Sequence, residues 1–279
     1  NNKGIRDLPK PTIKLSKEES INGKFIVAEV RQKTNKKKTV VFQPYGRGVQ
    51  QAGNIITDPS GRSFEHGNMV SIIKRLQKKY SVILMSEFAF DFEKEGLRDT
   101  ISFPAGNGVP MRGWAGIIQE ADLFLGCDSV GQHIAHAVGT PVVAVMGSTF
   151  GVNVSYPEEE MFDVLDMGEG LRQYDPIRIC PDEESARLND GIMAMNDKVE
   201  EVIMKSVDKL MNKYYRKPAM EVVLPPEFGG PSADGCNLPE PPSSNGNGFQ
   251  IPMQQPTPGG SDVKIPALEI PSKGFSVKK

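Results

Sequence analysis

The chain has 279 residues, with 33 Lys and Arg against 35 Asp and Glu, a formal net charge of −2 at pH 7. That balance excludes a generally basic nucleic-acid binder, and no apolar run reaches the roughly 18 residues needed to cross a bilayer. Cys127, Cys180 and Cys236 lie far apart without metal-ligand spacing, which fits a reducing, cytoplasmic setting and no bound metal. The first residue is Asn1 rather than Met, so a fragment or a cleaved leader is left open.

Residues 1–38 are polar and Lys-rich, with one short apolar run, Phe25-Ile26-Val27-Ala28. They read as a linker containing a short helix or strand, and Lys36-Lys37-Lys38 as a solvated charge run. From residue 39 the pattern changes. Short aliphatic runs, Thr39–Phe42, Val82–Met85, Ile101–Phe103, Asp122–Leu125 and Val142–Val145, predict strands. Between them Met69, Ile72, Ile73 and Leu76 recur at helical spacing, as do Trp114, Ile117 and Ile118, then Ile134, Ala137 and Val138. Strands apolar on both faces, alternating with helices, imply a parallel sheet covered on both sides. The fold expected for residues 39–216 is therefore α/β, a doubly wound, Rossmann-like domain.

A last helix is predicted over 196–215, with Val199, Val202, Ile203, Val207, Leu210 and Met211 on one face. Residues 217–279 hold 12 of the 22 prolines and are rich in Gly, Ser and Asn. Such a segment cannot bury enough apolar area to offset its ordering entropy, so a disordered tail is expected.

The chemistry concentrates in Gly126–Thr149. A strand ends at Asp128-Ser129, a helix follows over 130–139, and Gly139-Thr140-Pro141 stops it. Ligands of doubly wound sheets collect at the carboxyl ends of strands. There the free N–H groups of Ser129, Val130 and Gly131 can face an anion. Gly131 has no side chain to block a close approach. The helix dipole contributes about 0.3–2 kcal/mol, and each charge-assisted hydrogen bond about 1.5–3 kcal/mol. His133 falls one turn in, as a cation or as a neutral N–H donor. The same residues also read as a plain cap, with Ser129 as a good N-cap, His133 as a structural histidine and His136 as a surface residue.

Asp128-Ser129-Val130-Gly131-Gln132-His133-Ile134-Ala135, with Gly139-Thr140-Pro141 and Gly147-Ser148-Thr149, resembles the donor-site signature of the heptosyltransferase-like glycosyltransferases. These form glycosyltransferase family nine, whose fold is the two-domain GT-B type. Members read Asp-Thr/Ser-Gly-x-x-His, a small helix, Gly-x-Pro, a strand and Gly-Pro-Thr. The similarity spans roughly residues 39–215. Arg62-Ser63-Phe64 stands where the family has Lys-x-Trp, and Tyr156-Pro157 and Cys180-Pro181 resemble later segments. The chain departs from the signature at Val130, where the family has glycine, and at Ser148, where it has proline.

The resemblance implies the carboxy-terminal, donor-binding half of such an enzyme. It also implies transfer from a nucleotide-diphosphate sugar to a carbohydrate acceptor, as in lipopolysaccharide biosynthesis. On it, Ser129, Val130 and Gly131 grip the diphosphate, His133 meets phosphate or sugar, and Asp128 orients the turn or bonds a sugar hydroxyl. Arg62 takes the place of a phosphate-neutralising lysine; its bland alternative is an exposed loop arginine. Arg47, in Gln43–Gly48, is a further phosphate contact. Gly108 and Val109 are expected at the base, and Glu87, Asp91 or Glu93 at the ribose, although both Gly-rich stretches also read as ordinary loops.

No metal or other cofactor is required on this reading. An amino-terminal Rossmann half needs well over about 100 residues, more than precede the first strand, so residues 1–38 read as a linker or remnant of it and no catalytic base is named. The alternative is a non-catalytic module that binds sugar nucleotides and uses its Pro-rich tail for a protein partner. A sugar-nucleotide epimerase shares the phosphate turn. A dinucleotide oxidoreductase is disfavoured by the lack of a GxGxxG fingerprint after a strand.

Overall fold

The computed structural model describes residues 10–46, 49–52, 55–58, 60–86, 92–97, 100–104, 109–172 and 191–215. In chain order its elements are α1 (Lys17–Thr34), β1 (Thr39–Gln43), β2 (Gln50–Ala52), β3 (Ile55–Thr57), α2 (His66–Leu76), β4 (Ser81–Ser86) and β5 (Thr100–Pro104). There follow α3 (Met111–Glu120), β6 (Leu123–Cys127), α4 (Val130–Val138), β7 (Val142–Met146), α5 (Gly151–Val154), β8 (Phe162–Asp166) and α6 (Asp197–Tyr214). The Pro-rich tail lies outside the described residues.

Six strands form one sheet in the order β5-β4-β1-β6-β7-β8, and every neighbouring pair is parallel. From β1 the chain winds outward to β5, returns, and lays β6, β7 and β8 on the other side. This is the doubly wound α/β fold the hydropathy pattern predicts. Its switch point falls between β1 and β6, where Gln43 pairs with Gly126.

Successive side chains on each strand feed opposite layers. Val40, Phe42, Val82, Leu84, Leu123 and Leu125 join one apolar cluster with α2 and α6. Val41, Ile83, Phe124, Val142 and Ala144 join the other with α1, α3 and α4. Both faces are covered, so the strands read as unbroken aliphatic runs rather than alternations.

Three expectations are corrected. The linker assigned to residues 1–38 contains α1, an integral helix started by a capping box between Ser16 and Glu19. Its buried face is mostly small: Gly23, Val27 and Val30, a pattern that hydropathy hardly registers. A Cβ on Gly23 would come within 2.3 Å of the Gly116 carbonyl oxygen, so only glycine allows the backbones of α1 and α3 to approach this closely. Arg31 then pairs with Asp122 at 2.8 Å, and the same carboxylate accepts the Thr39 N–H at 2.6 Å.

The second correction concerns strands the sequence did not reveal. The β2–β3 hairpin is three residues per strand. In β8 the run Phe-Asp-Val-Leu-Asp is only partly buried, with Phe162 its one buried side chain, and an edge strand interrupted by acids gives no aliphatic run. Third, Val202 is 51% exposed. The buried face of α6 runs instead through Glu200, Ile203, Ser206, Val207, Leu210 and Met211. Buried Glu200 is balanced by Asn68 at 2.9 Å, Ser71 at 2.5 Å and Arg75 at 3.0 Å.

Candidate functional site

The site is assembled at the carboxyl edge of the sheet, over the switch point. Asp128 is buried, Ser129 half-buried and Val130 exposed. Ser129 occupies the N-cap position of α4 with extended backbone, φ −157° and ψ 179°, but its side chain makes no capping bond. Its Oγ accepts a hydrogen bond from Gln43 Nε2 at 3.0 Å. The same amide nitrogen donates to the Tyr45 carbonyl at 3.2 Å, while Gln43 Oε1 accepts the Gly131 N–H at 3.0 Å.

Two expectations change here. Ser129 caps by position and not by side chain. Gly131 offers neither a free N–H nor open space: a Cβ there would lie 2.3 Å from Gln43 Oε1 and 2.4 Å from the Phe124 ring. Its glycine serves packing. Among the described residues no hydrogen bond takes up the N–H of Ser129 or Val130, and the two open the first turn of α4, where backbone donors lack intrahelical partners.

Arg62 reaches this turn from a distant part of the sequence. Its guanidinium stands 4.0 Å from the Asp128 carboxylate, and its Nε donates to Ser60 Oγ at 3.1 Å. Asp58 shapes the carrying loop: its carboxylate accepts the N–H groups of Ser60 at 2.8 Å and Ser63 at 3.1 Å, and both hydroxyls. Gly61 takes φ 64° in that turn. The loop is tied to both neighbouring strand ends, because Ser63 Oγ accepts the Gly46 N–H at 2.9 Å and the Ser148 N–H donates to the Gly61 carbonyl at 3.1 Å. Arg62 is thus presented by a braced loop, with its side chain 28% exposed.

Asp128 accepts from Gln132 Nε2 at 3.2 Å, and Ser155 Oγ donates to Gln132 Oε1 at 2.7 Å. The carboxylate is therefore oriented within the protein, toward the helix and Arg62. His133 is exposed and stands 3.0 Å from the Tyr156 hydroxyl through Nδ1. Desolvation pulls its pKa below the ordinary histidine value, with the Asp128 charge opposing, so the ring near pH 7 is a neutral single donor.

His136, expected at the surface, has a side chain only 7% exposed. It stacks on Tyr156 with centroids 3.7 Å apart and meets Phe162 edge-on at 5.5 Å. Val109 is half-buried and packs against the cluster under α3, and Glu93 is exposed in a turn. Arg47, Gly108, Glu87 and Asp91 lie outside the described residues.

Sequence reasoning missed the parts played by Gln43, Tyr156 and Arg172. Arg172 is a brace: its Nε donates to the Gly147 carbonyl at 2.9 Å and its terminal nitrogen to Thr149 at 2.6 Å, beside an ion pair with Asp166. No signal in the sequence singles it out, since the oxygens it braces at Gly147 and Thr149 are main-chain ones. Among the described residues no group of three or more His, Cys, Asp or Glu is placed to hold a metal.

Comparison with known proteins bears on the same segment. Residues 110–156 match the model of "Glycosyltransferase family 9 (heptosyltransferase)". In this segment the chain is similar to heptosyltransferases. The matched stretch carries α3, β6, α4 and β7, and so the whole Asp128–His133 turn. Among solved structures, the chain is similar to E. coli ADP-heptose LPS heptosyltransferase II, at 14% identity and a TM-score of 0.46, covering 75% of this chain and 56% of that one. It is also similar to a family 9 glycosyltransferase from Veillonella parvula, at 13% identity and a TM-score of 0.49, covering 72% and 54%. The chain thus spans about half the length of these structures. A search of curated proteins gives no significant match.

Proposed function

We propose that residues 39–216, together with α1, form the donor-binding half of a GT-B glycosyltransferase that acts in the cytoplasm on a nucleotide-diphosphate sugar. The observation that carries this reading is the convergence of Arg62 on the Asp128-Ser129-Val130 turn at the switch point. The N–H groups of Ser129 and Val130 are left unpaired there among the described residues. Departure of the nucleoside diphosphate builds negative charge. A guanidinium and a helix N-terminus stabilise that charge without a metal. His133 donates one N–H to phosphate or sugar oxygen, and Asp128 orients the turn. The acceptor is a carbohydrate, of the lipopolysaccharide type in this reading. The groups that deprotonate it belong, in this reading, to the acceptor-binding half of the GT-B fold.

A second reading has one observation in its favour. Gln43 already fills the place of a ligand oxygen at Gly131, which suits a module that has lost transfer and works through its Pro-rich tail. Calorimetry with ADP, UDP and their sugars separates the two. The donor-site reading expects ADP or UDP binding, weakened about tenfold by Arg62→Ala through loss of one charge-assisted bond. Absence of heat with every nucleotide would overturn it. Binding without sugar transfer, once an amino-terminal half is supplied, would favour the second reading.

A further inference from the structure

His133 is one of two exposed residues in the first turn and a half of α4, the other being Val130. The orientation of its ring is set from outside that helix. Tyr156 lies 23 residues on, past β7 and α5, and brings its hydroxyl to 3.0 Å from Nδ1 of His133. The two rings meet edge-on, with centroids 5.7 Å apart and an interplanar angle of 82°. Tyr156 is itself clamped. His136 stacks on it at 3.7 Å and 20°, and Phe162 meets it edge-on at 5.1 Å. Both nitrogens of His136 are buried without a hydrogen-bond partner among the described residues, so this ring acts as an aromatic wall. Glu159 stands 3.7 Å from it and also pairs with Lys10.

We propose that Tyr156 is a positioning residue for His133: its hydroxyl donates to Nδ1 and fixes the neutral ring as the tautomer that carries its proton on Nε2. The inference rests on the donor-site reading only for what Nε2–H then meets, a phosphate or sugar oxygen. The chemistry favours this direction of donation. A neutral imidazole has one donor and one acceptor nitrogen. A phenolic hydroxyl, whose oxygen lone pair is drawn into the ring, is a better donor than acceptor, so the pairing of O–H with an unprotonated Nδ1 is the stronger of the two. A tyrosine pinned by two rings reaches one point in space, so the acceptor nitrogen is held there and the donor nitrogen is turned outward. The hydrogen bond made by one ring nitrogen sets which nitrogen of a histidine faces its ligand.

The test is nitrogen-15 long-range NMR at neutral pH on the whole chain and on Tyr156→Phe, each with and without ADP. The chain has three histidines, and the His133 signals are identified by their loss in His133→Gln. In the parent, Nδ1 of His133 should show the shift of an unprotonated nitrogen and Nε2 that of a protonated one. Tyr156→Phe keeps the ring stack and removes only the hydroxyl. It should convert that pattern to a tautomer mixture and weaken ADP binding about threefold to tenfold, with the melting temperature retained. An Nδ1–H tautomer in the parent, or the same tautomer in both proteins, overturns the proposal. If the parent binds no ADP while the tautomer shift occurs, the donor-site reading fails and the positioning of His133 by Tyr156 stands.

Discussion

Helices α6 and α4 begin with similar residues and different bonds. At the start of α6, Asn196 Oδ1 accepts the N–H groups of Lys198 and Val199, each at 3.1 Å, so two first-turn donors are satisfied by the helix's own cap. At the start of α4, Ser129 is an equally suitable capping residue, yet its hydroxyl is drawn away to Gln43. Gln43 takes over the capping role by accepting the Gly131 N–H. In both helices the N–H groups of the cap residue and of the first helical residue have no partner among the described residues, as helix starts generally do. What sets α4 apart is a cap assembled from β1, with Arg62 brought from another loop beside its open donors.

The largest test of this contrast is Gly131→Ala. The new methyl would meet Gln43 Oε1 and the Phe124 ring well inside contact distance, so an expected loss of about 1–3 kcal/mol should be seen in urea unfolding. Unchanged stability would show that the turn has room, and would return Gly131 to the ligand. Next in size is a pair of caps. Asn196→Ala should cost about 1 kcal/mol. Ser129→Ala should cost about 0.5–1.5 kcal/mol through its bond from Gln43, and that cost should vanish in a Gln43→Ala background. A Ser129→Ala cost that survives Gln43→Ala in thermal melts would make its hydroxyl a cap and erase the distinction between the two helix starts.

The smallest effect uses the start of α1, which resembles α6. Arg112, chiefly, and the Ser16 N–H hold the Glu19 carboxyl down from 4.5 to about 2. A carboxyl with a depressed folded-state pKa stabilises the fold above its unfolded value, and that contribution is lost as the folded form takes up its proton. Stability should therefore decline as pH falls from about 4.5 toward about 2, and Arg112→Ala should flatten that slope. The group is at the surface, so the change should be small and should shrink in salt.

Where one principle dominates, the fold was readable in advance. The runs at Val82–Met85 and Val142–Val145 are aliphatic because both faces of their strands are buried, and they announced the sheet. Helix α1 was read only as a short helix or strand within a linker, because its buried face depends on Gly23, a residue whose value is the closeness it allows to Gly116. Strand β8 was missed because it is only partly buried and Asp163 and Asp166, one on each face, break up its apolar residues. The candidate site divided in the same way. Asp128, Ser129 and His133 are legible from a strand end, a capping residue and a helix start. Gln43, 86 residues before Ser129, carries no local mark of its role.

The sequence by itself determined the layering of the domain, and the position of a strand-to-helix turn rich in main-chain donors. Period and composition suffice for that, because burial on one or both faces leaves its trace along the chain. Only the tertiary structure decided which of those donors are used. That choice depends on which side chains from β1, the 58–63 loop and residue 156 arrive within hydrogen-bonding distance. Distances of about 3 Å are set by packing between elements, and packing has no period along the chain.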